Sequence, residues 1–95
     1  MTAYVVFIRE EMHDPQGFSR YSEKVPASFD GHPITPLVIY GEHETLEGEE
    51  IDGAVILQFP DMEAAKNWYT SKRYQEARKQ RLASSRYRVI LLEGL

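Results

Sequence analysis

Tyr74, Ala77 and Arg81 recur at i, i+3 and i+7 within the stretch "NWYTSKRYQEARKQR", residues 67–81. On a helix that spacing places all three on one face, with the arginine at the edge of an inward apolar stripe. A guanidinium there has three uses. Its methylenes cover the core while its head reaches water, it enters a structural ion pair, or it meets the anionic group of a ligand. Trp68 and Tyr69 lie just upstream and suit either a core or a pocket wall. Tyr21 and Tyr40 add two more rings with hydroxyls. His43, between Glu42 and Glu44, belongs to an acidic loop that reads first as solvated, with titration or haem ligation as alternative readings. The candidate ligand-binding set is therefore Tyr21, Tyr40, His43, Trp68, Tyr69, Tyr74 and Arg81. Such a set describes an aromatic-walled site with few polar groups, suited to a small polar-aromatic or acidic molecule. Lys72, Arg73 and Lys79 fall on a solvated face, where Glu76 pairs with Lys79 at i, i+3.

Other chemistries lack their residues. There is no cysteine, which removes disulfides, thiolate metal sites and a cysteine nucleophile. His13, His32 and His43 show no metal-ligand spacing, so no metal is expected, and no cofactor either. No G-x-S-x-G, phosphate-binding loop or dinucleotide fingerprint occurs. Residues 42–52 carry six acidic side chains and no lysine or arginine, whereas residues 72–88 carry seven basic and one acidic. The net charge of −4 and a pI near 5.3 argue against nucleic acid as a partner.

These residues need positioning elements. The chain has 95 residues, 42% hydrophobic and 12% aromatic, and reads as one domain over 1–95. Ala3–Glu10 is β-branched and aromatic, hence a strand. Asp14 and Pro15 open a helix that carries Phe18, Tyr21, Val25 and Phe29 on one stripe; Pro26 shortens or kinks it and Gly31 stops it. Thr35–Gly41 and Gly53–Phe59 are further strands. Asp61 caps a short helix with Met62, Ala65 and Tyr69 inward and Trp68 on the flank. Ser71 caps another, to about Arg81, and "RYRVILLEGL" is the last strand. The order βαββαβ, with the second crossover helix split, predicts an α+β ferredoxin-like sandwich on a four-stranded antiparallel sheet. RNA-recognition domains share this order. Here Asp52 stands where the third strand needs a basic residue, and Ala54 and Ile56 stand where stacking rings are needed, so RNA binding is not expected.

The strands are apolar on both sides. Tyr4, Val6 and Ile8 oppose Val5 and Phe7; Ile56 opposes Val55, Leu57 and Phe59; Ile90 and Leu92 oppose Val89 and Leu91. Helices cover one face only. The other is too apolar to leave in water, so a two-fold homodimer, sheet against sheet, is expected. No stretch approaches ~18 apolar residues, so no membrane partner is expected, and a cytoplasmic setting fits the absence of cysteine.

The block "QFPDMEAAKNWYTSKRYQEARKQR", through Phe59, Pro60, Met62, Glu63, Ala64, Ala65, Trp68, Tyr69, Ser71, Tyr74, Gln75 and Arg81, resembles the family called domain of unknown function 1330. Phe18–Tyr21, Val25-Pro26 and the closing Glu93-Gly94 extend the resemblance over nearly the whole chain. It implies a dimeric α/β barrel of ferredoxin-like subunits. Many relatives carry Arg-Gly-Gly after the second strand; this chain has Ile39-Tyr40-Gly41, so no arginine carries over there. The resemblance implies no agreed reaction. Superfamily neighbours include cofactor-free monooxygenases, haem-binding enzymes and isomerases, so fold cannot choose among them. Two functions remain open: a small-molecule site between sheet and helices, with cofactor-free catalysis as an extension, and a non-catalytic dimeric interaction module.

Overall fold

The computed structural model describes all 95 residues. Its elements are β1 (Ala3–Met12), α1 (Pro15–Ser28), β2 (Thr35–Ile39), β3 (Gly53–Phe59), α2 (Met62–Tyr69), α3 (Lys72–Ser84) and β4 (Ser85–Glu93). All strand pairs are antiparallel and the sheet order is β2-β3-β1-β4. This is the expected α+β ferredoxin-like arrangement, with the second helical connection divided at Thr70 and Ser71.

Local chemistry explains most boundaries. Asp61 Oδ1 accepts from the Ala64 amide at 2.8 Å, and Ser71 Oγ accepts from the Tyr74 amide at 3.4 Å, so α2 and α3 each start on a capped first turn. Asp14 occupies the cap position of α1 but its side chain makes no capping bond; Pro15 at the start supplies the helical φ instead. Pro26 sits inside α1, which continues to Ser28. α3 runs one turn past its expected end, to Ser84, whose hydroxyl donates to Gln80 O at 2.7 Å. Gly17 lets α1 lie close to α3: a Cβ there would stand 3.0 Å from Ser84 Cβ.

The core lies between helices and sheet. Ala3, Val5 and Phe7 of β1, with Val55, Leu57 and Phe59 of β3, meet Tyr21, Ala65, Trp68, Tyr74 and Ala77. Trp68 is fully buried, not on the flank, and Tyr69 is only half-buried. The eight-residue α2 turns the larger ring under the sheet, where it meets Phe7 at 6.2 Å edge-on and Tyr74 at 4.2 Å between centroids.

No element packs on the opposite face, and the subunit is only 17 Å thick against 33 and 31 Å in its other dimensions. Register puts Val38, Ile56, Val6 and Ile90 in one row across all four strands of that open face. Ile90 is 37% exposed in the lone subunit.

Candidate functional site

β2 decides where the site forms. It is an edge strand, which tolerates Pro36, and its register slips between Pro36 and Val38. The extra residue returns Ile39 to the helix side, opposite Val55. Tyr40 then ends the strand with φ +50°, a left-handed conformation rare for a residue with a side chain. The expected strand to Gly41 therefore stops at Ile39. The turn lays the Tyr40 ring over Gly53, where an added Cβ would come within 2.9 Å of Cδ1. Gly53, Arg9 and Tyr87 stand in register on β3, β1 and β4. Tyr40 spans that row, and its hydroxyl shares a hydrogen bond with the hydroxyl of Tyr87, from the far edge of the sheet.

A cavity of about 260 Å³ opens beside this bridge, between α1 and the sheet. Phe7, Tyr21, Val25, Phe29, Tyr40 and Trp68 supply most of its wall, and Ser22 is its one further polar side chain. An enclosed apolar space of about 150 Å³ holds a benzene ring, so this volume suits one ring with small substituents.

Arg81 stands behind the wall. It projects from the last turn of α3 and is 3% exposed. Its guanidinium carbon lies 5.0 Å from the Tyr87 ring centre and 5.7 Å from that of Phe7. Nε is buried without a hydrogen-bond partner. Arg81 belongs to none of the chain's ion pairs, which join Arg9 to Asp52, His43 to Glu50, Arg73 to Asp30, and Arg86 to Glu10 and Glu11. Neither snorkelling nor an ion pair describes it. Burial works against its charge, but the Tyr74 and Tyr21 oxygens more than offset that and push its pKa up, so it stays a cation. Two aromatic faces and the helix C-terminus also compensate, by about 0.5–2 and 0.3–1 kcal/mol respectively. No carboxylate takes part, so the charge is answered inside the fold by dipoles and ring faces alone.

Four tyrosine hydroxyls form two pairs, Tyr21–Tyr74 on the Arg81 side and Tyr40–Tyr87 on the Arg9 side. Tyr21 Oη and Tyr74 Oη lie 3.1 Å apart, and Tyr40 pairs with Tyr87. Burial pushes all four phenol pKa values up, opposed by the Arg81 charge at Tyr21, Tyr40 and Tyr74 and by the Arg9 charge at Tyr87. All four are neutral donors over the physiological range.

Of the residues expected from sequence, Tyr21, Tyr40 and Trp68 line the cavity, while Tyr74 and Arg81 lie behind it. Tyr69 faces a separate groove with Val5, Lys66 and Leu91, and its hydroxyl accepts from Arg78 Nε at 3.0 Å. His43 is absent from the lining; its Nε2 lies 3.1 Å from Ile51 O and 3.6 Å from Glu50, within its own loop. Tyr87 and Arg9 were not singled out in the sequence. Arg9 stacks on Tyr40 at 4.6 Å and Phe18 at 4.9 Å and bonds Asp52 at 3.0 Å. No group of three or more histidine and carboxylate side chains converges on a point. No helix is long and apolar enough to cross a membrane.

The same fold occurs in solved structures. A protein of unknown function from Rhodopseudomonas palustris, RPA0582, superposes with a TM-score of 0.74 at 21% identity, covering 99% of this chain and 82% of that one. A dimeric ferredoxin-like protein of unknown function from Jannaschia sp. CCS1 gives 0.71 at 18% identity, over 99% and 100% of the two chains. SnoaB, a cofactor-independent oxygenase from Streptomyces nogalater, gives 0.60 at 15% identity, over 99% and 92%. At these identities the likeness is one of fold. No curated protein matches the sequence. The model of the family described as domain of unknown function, DUF1330, matches residues 2–95, and the chain belongs to that family.

Proposed function

We propose that this protein binds a small acidic or polar-aromatic molecule in the cavity between α1 and the sheet. The observation that carries the reading is Arg81: a cation held 3% exposed, with Nε unpartnered, beside an apolar cavity of one-ring size. A ligand carboxylate or phenolate supplies the missing counter-charge, and the aromatic wall holds its ring. Phe7, Tyr21, Tyr40 and Trp68 grip the ligand body, and the cation orients it inward. The fold that SnoaB uses for oxygenation without a cofactor favours cofactor-free chemistry as the extension of binding, though the support is that of shared fold.

The open sheet face supports a two-fold homodimer. The row Val38–Ile56–Val6–Ile90 is a continuous apolar band that the helices of its own subunit do not reach. Its natural cover is the same band of a second copy. The structure from Jannaschia sp. CCS1, described as dimeric, shows that this fold assembles in pairs elsewhere.

Titration calorimetry with benzoate tests the ligand reading. Wild-type protein should bind it and Arg81→Met should bind at least tenfold more weakly, the charge-assisted bond being worth about 1.5–3 kcal/mol. Equal affinity in both would defeat it. Light scattering should give twice 11.0 kDa. Ile90→Glu should return the mass to one subunit, whereas an unaltered mass would remove the sheet face from the interface.

A further inference from the structure

We propose that two copies of this chain pack about a two-fold axis running along the strands, so that the acidic β2–β3 arm of each copy, residues 41–52, lies over the β4 edge of the other and meets Arg88 there. The proposal rests on the homodimer reading above and adds which edges meet and which charges pair.

Charge on the open face is sorted by corner. β2 and β4 are the two edges of the sheet. The arm joins β2 to β3 at the end where Arg9 pairs with Gly53, and β4 starts at that same end. Tyr87, Val89 and Leu91 pack on the core, so alternation turns Arg88, Ile90 and Leu92 to the open face. Arg88 closes the row Ala54–Ile8–Arg88, one step beyond the apolar band. It enters no ion pair, whereas Arg86 is shared between Glu10 at 3.8 Å and Glu11 at 3.6 Å. On the opposite edge Glu42, Glu44, Glu47 and Glu49 are exposed and equally free of ion pairs. The row at the other end of the face, Thr35–Gln58–Tyr4–Leu92, carries no charge. The arm keeps a defined shape through bonds of its own: Thr45 Oγ1 donates to Glu50 Oε1 at 3.1 Å and accepts from the Ile51 amide at 3.5 Å, and His43 Nε2 lies 3.1 Å from Ile51 O. Its Leu46 is 89% exposed in the lone subunit.

A sheet-to-sheet two-fold lies in the plane between the faces, and its direction decides which corners meet. An axis across the strands lays each edge on itself with opposite ends together, so the arm faces the uncharged row. On one diagonal the arm meets the partner's arm; on the other, Arg88 meets the partner's Arg88. An axis along the strands, within the ~30° at which aligned sheets cross, lays β2 on the partner's β4 with like ends together. It alone sets the arm carboxylates against Arg88, and symmetry makes the contact twice. The apolar band drives the association, and the charges select its direction.

Complementary charge reversal tests the pairing. One chain carries Glu42→Lys, Glu44→Lys, Glu47→Lys and Glu49→Lys; a second, tagged to alter its mass, carries Arg88→Glu. Each alone should form a dimer about tenfold weaker than wild type or worse, because like charges then face each other across the edge. Mixed in equal amounts, the two should form the heterodimer well above the statistical half, since each arm again meets its opposite charge; native mass spectrometry counts the species. The unaltered protein gives a second readout that needs no variant to fold. Its dimer should weaken in sedimentation equilibrium as sodium chloride rises from about 0.01 to 1 M, which a purely apolar contact does not do. Dimers indifferent to charge reversal and salt, or a statistical mixture, would overturn the pairing and leave the homodimer standing. A wild-type mass of one subunit would remove the homodimer reading itself, and the pairing with it.

Discussion

Two arginines lie among aromatic rings in this molecule, and they are treated differently. Arg9 stacks on Phe18 and Tyr40, and its charge is answered: Asp52 holds Nε at 3.0 Å and the partners reach the surface, with side chains 13% and 45% exposed. Arg81 sits against Phe7 and Tyr87 at similar ring distances, is more deeply buried, and has no carboxylate. The rings are common to both places; the counter-ion is not. A chain with six acidic residues between positions 42 and 52 has carboxylates available and brings none to Arg81. The first arginine closes a structural joint. The second has no carboxylate from its own chain, and the proposed anion binding rests on that difference.

The contrast breaks most sharply at Arg81. Replacement by Met should abolish most anion affinity yet raise the melting temperature of the unliganded protein. Exchanging buried ionic groups for packed apolar ones is often neutral or stabilising by about 1–4 kcal/mol. Arg9→Met should do the reverse. Losing the stack on Tyr40 and the Asp52 bond should lower stability by about 1 kcal/mol, and benzoate affinity should fall less than tenfold. Denaturant melts and calorimetry on the two variants separate these outcomes. Asp52→Asn should be milder still, within about 0.5–1 kcal/mol, because the pair is partly solvated.

A slower lever is pH. Tyr21, Tyr40, Tyr74 and Tyr87 all have pKa values raised by burial. A phenol whose folded pKa is raised contributes stability that is fully present below its unfolded value, about 10, and lost as pH climbs further. Ultraviolet titration should show these four ionising together with loss of near-ultraviolet dichroism, not before it. Ionisation of all six tyrosines with the fold intact would contradict their placement.

How much of this was legible beforehand divides by range of interaction. The strands announced themselves by β-branched runs, and Arg81 by its helical spacing from Tyr74 and Ala77, because both signals are local. The apolar second face was visible in the alternation of β1, β3 and β4. The role of Tyr40 was not. It depends on a slipped register at Leu37, a left-handed backbone at Tyr40 and a vacancy over Gly53, which only the assembled sheet brings together. Tyr87 read simply as a strand residue, since its partner lies across two intervening strands. Trp68 and Tyr69 exchanged places because adjacent residues on a short helix differ by one rotation that sequence spacing does not resolve. His43 read first as part of a solvated acidic loop, and its contacts with Ile51 and Glu50 stay within that loop.

The most direct test is the melting temperature of wild type and Arg81→Met, each with and without saturating benzoate. The expected result is crossed behaviour: without ligand the variant melts higher, and benzoate raises the wild type alone, by an amount that grows with its concentration. A variant that melts lower and is still stabilised by benzoate would show Arg81 to be a structural residue and the anion site to lie elsewhere.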